Sequence, residues 1–144
     1  NIPYIGYSYI VRPTNGNDRA LKKYYNLSGI SCTEIKIEFT YFYLDSWDGE
    51  NAWVGVGDDE SYASGVRPSA IWNSRWDHNW GDPRSGTNLS YYGNTGYSDA
   101  STTATAIFRN NFGTTGFWMF VGSSLGDTVS DETFAIDNVK VYVR

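Results

Sequence analysis

Apolar and polar positions alternate along this chain in short runs with a period of two, the spacing of a half-buried β-strand. The clearest run is Glu34 to Leu44, where Ile35, Ile37 and Phe39 point one way and Glu34, Lys36 and Glu38 the other. Ile2 to Val11 is uncharged, rich in Ile and Tyr, and reads as one extended segment. It stops at Pro13, where the chain enters the polar turn Thr14-Asn-Gly-Asn-Asp18. Lys22 to Leu27 reads as a second strand. Ala52 to Gly57 follows across Asp48-Gly-Glu-Asn51 and is expected to form a hairpin with the run before it. From Asp58 to Gly96 the alternation loosens amid Pro, Gly, Ser and Asn. It returns in Thr102 to Phe108, and again in Gly116 to Val121, which is apolar at both parities and so predicts burial on both faces. In the closing run Phe134 and Ile136 share one parity, and Val139, Val141 and Val143 the other. A bulge at Asp137-Asn138 is therefore expected, aiming both polar side chains at the rim. No segment requires a helix.

Short strands joined by turn residues predict an all-β fold, an antiparallel jelly-roll-like β-sandwich. One domain over residues 1–144 is expected, with 1–13 as a candidate strand-addition segment. A chain of 144 residues can bury a core without staples. An aromatic content of 17% with 15 Gly favours strands and turns over helices. The net charge of −5 argues against a nucleic-acid partner, because phosphate recognition needs a basic face. No run of eighteen apolar residues occurs, so no membrane insertion is expected. Cys32 is the one cysteine, which rules out an internal disulfide and reads as a small core thiol. A chain that opens on Asn1 is what a processed, secreted protein looks like, and an extracellular or cell-surface location is the expectation.

Two acid-rich motifs carry the candidate chemistry: Tyr43-Leu-Asp-Ser-Trp-Asp-Gly-Glu50 and Asp131-Glu-Thr-Phe-Ala-Ile-Asp-Asn-Val139. Segments so far apart in the chain become neighbours in an antiparallel sandwich. Asp45, Asp48, Glu50, Asp131, Glu132 and Asp137 are accordingly the candidate metal ligands. Gathered unpaired, each like-charge pair at about 4 Å costs on the order of 1–4 kcal/mol, a cost that a divalent cation removes. Flexible loops offering many oxygens suit Ca2+ better than Mg2+. The competing reading makes these acids solvated turn residues, some paired with Arg67, Arg75 or Lys140.

The stretches Phe42 to Glu50, Ala70-Ile-Trp72 and Ser130 to Val141 together resemble the repeated β-sandwich module of large extracellular surface proteins in ciliates and other protists. More distantly, the Ile-Asp-Asn-Val ending is similar to that of jelly-roll carbohydrate-binding and adhesin modules. The resemblance covers roughly a quarter of the chain and implies an extracellular, non-enzymatic sandwich. Gly49 and Phe134 stand where the module would have a polar residue and a Trp.

Catalysis is not expected. His78 is the one histidine and stands in a Trp-rich loop away from any nucleophile motif. Asp45 and Glu50 could hydrolyse a glycoside only if one carboxyl sat in a dry cleft, and a hairpin turn is wet. Two non-enzymatic classes remain. The first is a structural subunit of a secreted filament or coat, self-assembling by strand addition through Ile5, Tyr7, Tyr9 and Val11 and stiffened by calcium. The second is a calcium-dependent lectin or adhesin that binds extracellular glycans through exposed rings among Trp72, Trp76, Trp80, Tyr91, Tyr92 and Tyr97. The sequons at Asn26 and Asn88 are candidate N-glycosylation sites. The hydroxyl run from Ser98 to Thr105 suits either O-glycosylation or the solvent face of a strand.

Overall fold

The structure is a computed structural model that describes residues 2–4, 7–10, 20–59, 69–77, 99–125 and 132–144, the first two of these and 69, 76, 77 and 132 as backbone only. Nine strands and no helix occur among them: β1 Ile2–Tyr4, β2 Tyr7–Ile10, β3 Ala20–Asn26, β4 Glu34–Asp45, β5 Asp48–Gly57, β6 Ser69–Asp77, β7 Ala100–Arg109, β8 Gly116–Ser123 and β9 Glu132–Val143. A four-stranded sheet in the order β3-β8-β5-β6 faces a three-stranded sheet in the order β7-β4-β9, and all pairs are antiparallel. The all-β sandwich expected from the period-two pattern is the fold.

β4 is the central strand of the smaller sheet. Ile35, Ile37, Phe39, Tyr41 and Tyr43 face the interior, as their alternation requires, and meet Val54, Phe117, Met119, Val121 and Phe134 in one core. Further along β4 the opposite face is buried as well, at Thr40, Phe42 and Leu44. The Tyr41 ring stacks on Phe134 at 5.6 Å between centroids. Its hydroxyl donates to the Gly122 carbonyl on the facing sheet at 3.0 Å, and burial raises its pKa well above the ordinary tyrosine value.

The hairpin expected across Asp48–Asn51 does not form. β5 begins at Asp48 and pairs with β6 and β8, in the sheet opposite β4. The chain changes sheets in two residues, Ser46 and Trp47, at a corner where the Asp45 amide donates to Asp99 Oδ1 at 2.9 Å and the Trp47 amide donates to the Asp45 carbonyl at 2.9 Å. Asp45 adopts φ 68°, a left-handed conformation that Asp tolerates better than most side chains. Trp47 is fully buried, its indole N–H donates to the Thr133 carbonyl at 2.7 Å, and its ring meets Tyr43 edge-on at 5.0 Å. A turn would have exposed this ring; crossing between sheets buries it.

The expected bulge in β9 is present. Glu38 pairs with Lys140 and Thr40 with Asp137, so Phe39 alone spans Asn138 and Val139, and Asn138 has φ 54°. It sits in mid-strand rather than at the rim. The opening segment is not one extended strand either: it folds back on itself, with Ile2 opposite Ile10 and Tyr4 opposite Tyr7. β2 passes beside β9 without joining its hydrogen-bonded ladder.

Candidate functional site

The six predicted metal ligands do not share one rim. Asp45 stands opposite Glu132, whereas Asp137 stands opposite Thr40, five residues back along β4. At ~3.3 Å per residue that is about 16 Å, far beyond the 2.3–2.6 Å at which calcium takes its oxygens, so Asp137 cannot share an ion with Asp45. The bulge in mid-strand is the reason. Asp137 instead joins Leu21, Lys23, Tyr25, Val121 and Val139 around a cleft of about 340 Å³ between β3 and β9. Asp131 and the Glu132 side chain lie outside the described residues.

Asp48 and Glu50 do come together. Glu50 Oε2 accepts the Asp48 amide at 2.7 Å. Burial first, then a hydrogen bond with the Asp48 carboxyl, raises the Glu50 pKa above the ordinary carboxylate value, and amide donors offset part of this. A raised carboxyl pKa means that protonation favours the fold. The contribution is full below the unfolded pKa and is lost as pH rises through the folded one. Loss of the Glu50 proton therefore weakens the fold. Beside it, Arg75 Nε donates to the Gly49 carbonyl at 2.7 Å. Among the described residues no group of three or more His, Cys, Asp or Glu is placed to hold a metal ion.

The first acidic motif thus serves mainly to build the corner. Tyr43, Leu44, Asp45 and Trp47 are buried, while Asp48 is exposed and Glu50 half-buried. Asp99 was not singled out from the sequence, yet it is 2% exposed and receives the Asp45 amide. A lone Asp ahead of a Ser and Thr run carries no signal until the fold sets it beside the corner.

Of the predicted sugar-stacking rings, Trp72 packs inward, 5.3 Å from Phe39 and 5.4 Å from Tyr41, half-buried against the core. The register explains this, since Trp72 pairs with Val54, whose side chain is in the core. Trp76 is described as backbone of β6, and Trp80, Tyr91, Tyr92 and Tyr97 lie outside the described residues, as do His78 and Asn88. Among the described residues Tyr24 and the half-buried Trp118 pair on an outer face, tilted together at 5.3 Å with Lys22 Nζ 5.7 Å from the Trp118 ring, and Tyr142 on β9 is exposed as well, with Lys36 Nζ 4.3 Å from its ring. Asn26 is exposed at the end of β3, and its Oδ1 accepts the Ser28 amide at 2.8 Å. Cys32 is half-buried beside the core, and Asn110 Nδ2 donates to its sulfur at 3.3 Å.

The assembly residues divide similarly. Tyr7 and Tyr9 lie on β2, while Ile5 and Val11 fall outside the described residues. What the sheets offer such a segment is an edge, and among the described residues β3, β6, β7 and β9 stand at the edges of the two sandwich sheets. The hydroxyl run before Arg109 is β7, with Ser101, Thr103, Thr105 and Ile107 on an exposed face. No family model matches the chain, and comparison with curated proteins and with solved structures gives no match.

Proposed function

We propose that this domain is a non-enzymatic extracellular structural module that joins copies of itself by strand addition into a filament or coat. The observation that carries the reading is the opening segment. β1 and β2 pair only with each other among the described residues and add no strand to either sandwich sheet. A two-stranded ribbon of this length is marginal in water by itself. Uncharged and rich in β-formers, it would gain a full ladder by opening onto the edge of a neighbour. A head-to-tail contact of that kind repeats without closing. The sequons and the motif resemblance support the extracellular part.

Deleting residues 1–11 is expected to leave a chain with a β-type circular dichroism spectrum that stays monomeric in sedimentation, while the full chain forms particles visible by electron microscopy. A folded truncation that assembles like the full chain would exclude the segment as donor.

Calcium belongs to the reading through Asp48 and Glu50, with Asp131 and Glu132 as the further oxygens. A hundredfold excess over Kd should stabilise the fold by about 2.7 kcal/mol. Glu50→Gln keeps an acceptor for the Asp48 amide but removes the repulsion. At pH 7 and without calcium its expected gain is a few tenths of a kcal/mol after solvent screening, vanishing in acid as wild-type Glu50 takes up its proton. The same variant should shrink the calcium increment. Superimposable melting curves in calcium and in chelator would remove the metal from the proposal. A glycan-binding role stands second, supported by the outward Tyr24 and Trp118 pair, and retention on a polysaccharide column tests it.

A further inference from the structure

Sheet edges that must stay single are blunted by lysines, prolines, bulges or shortness. Three of the four edges here carry such a device. β3 has exposed Lys22 and Lys23, β6 has Arg75 and two register irregularities, and β9 has the bulge at Asn138 together with Lys140. β7 has none of them. Its ten residues pair with β4 from Ala100 opposite Tyr43 to Arg109 opposite Glu34 without a register break. It contains no Pro and no Lys, and its one charge is on its last residue. Among the described residues no strand pairs with its outer edge.

Resting on the reading above, we infer that the outer edge of β7 is the acceptor and that its occupant is the opening segment, residues 2–11, of a second copy. Length matches first: ten residues on each side, about 33 Å at ~3.3 Å per residue. Charge matches next, since the donor has none and β7 keeps its single Arg at one end. Size also matches. The inward positions of β7 include Ala100, Ala104 and Ala106, small side chains beside the flank where β6 and β7 approach each other. The donor has Ile5, Tyr7, Tyr9 and Val11 at one parity, and at the other Gly6 and Ser8 flanked by Ile2, Tyr4 and Ile10. Laid along β7 with Ile5, Tyr7, Tyr9 and Val11 inward, it sets bulky side chains beside alanines and covers the half-buried Trp72 of β6. Gly6 and Ser8, with Tyr4 and Ile10 on either side, then lie on the face of the outer row of Thr103, Thr105 and Ile107, the last 60% exposed.

Full-length chains carrying Thr103→Lys, Thr105→Lys and Ile107→Lys test this, because all three positions are exposed and lysines there blunt the edge without entering the core. With the circular dichroism spectrum unchanged, the concentration needed for assembly should rise at least tenfold. The matching β9 variant, Tyr142→Lys with Val143→Lys, should assemble like the wild type. A second readout mixes full-length Thr105→Cys with full-length Tyr7→Cys, Ser8→Cys or Tyr9→Cys under oxidation. Neighbouring strands bring Cα atoms within the 4.4–6.8 Å that a disulfide spans, so a covalent heterodimer should form with one register partner. If the β7 lysines leave assembly intact and the β9 lysines abolish it, the acceptor is β9; this inference fails and the strand-addition reading stands. A wild-type chain that remains monomeric at every concentration overturns both.

Discussion

Replacing Trp47 with alanine should cost about 3–5 kcal/mol, the range for a fully buried Trp, and so a large part of the stability of a domain this size. The side chain is 0% exposed, meets Tyr41 and Tyr43 edge-on at 6.3 and 5.0 Å, and ties the sheet-crossing corner to β9 through its N–H. Trp47→Phe separates packing from hydrogen bonding. It keeps most of the ring but leaves the Thr133 carbonyl without its donor, a loss of about 1–3 kcal/mol. Urea midpoints followed by circular dichroism check both values. An alanine variant within 1 kcal/mol of wild type would mean that the corner does not depend on this residue, and the account of the acidic motif as a corner would fall.

Gly116→Ala is the second large effect, and its cause is backbone geometry. Gly116 opens β8 with φ 129°, and a Cβ there would run into the Tyr25 carbonyl oxygen on β3 and lie 2.8 Å from Tyr24 Cζ. The tyrosine ring can swing aside. The carbonyl belongs to the paired strand and cannot move without disturbing the ladder in which Asn26 faces Gly116. Strain in this region of φ is about 1–3 kcal/mol before the clash is added. Gly113→Ala supplies the control, for at φ 63° it too is left-handed but has nothing within 4 Å of the added atom. It should cost only the strain of a left-handed alanine, about 1–2 kcal/mol. Equal losses at the two positions would show that the contact with β3 contributes nothing.

Much of the fold was legible because a period of two is a local property. Ile35, Ile37 and Phe39 face the core as their spacing required, and the parity change around Asp137-Asn138 is the bulge. β6 was hidden by the same kind of feature. Its register breaks between Trp72 and Ala70, which scrambles the alternation along a strand also rich in polar residues. The candidate site was legible in part. Asp48 and Glu50 are two residues apart in one strand and meet through their own backbone.

The sequence by itself determined the all-β class and the strand faces of β4, since each depends on neighbours one or two residues away; it did not determine which rings are buried, as Trp47 and Trp72 show. Only the tertiary structure decided that Asp45 and Trp47 form a crossing between sheets. A short polar-aromatic turn can close a hairpin or change layers, and the choice rests on whether a cavity exists to receive the indole; here Tyr41 and Tyr43 flank the ring, and the Thr133 carbonyl accepts its N–H hydrogen bond. The same holds for the separation of Asp137 from Asp45. Both lie on strands of one sheet, and the register between β4 and β9 sets their distance, a long-range property that no local pattern of residues contains.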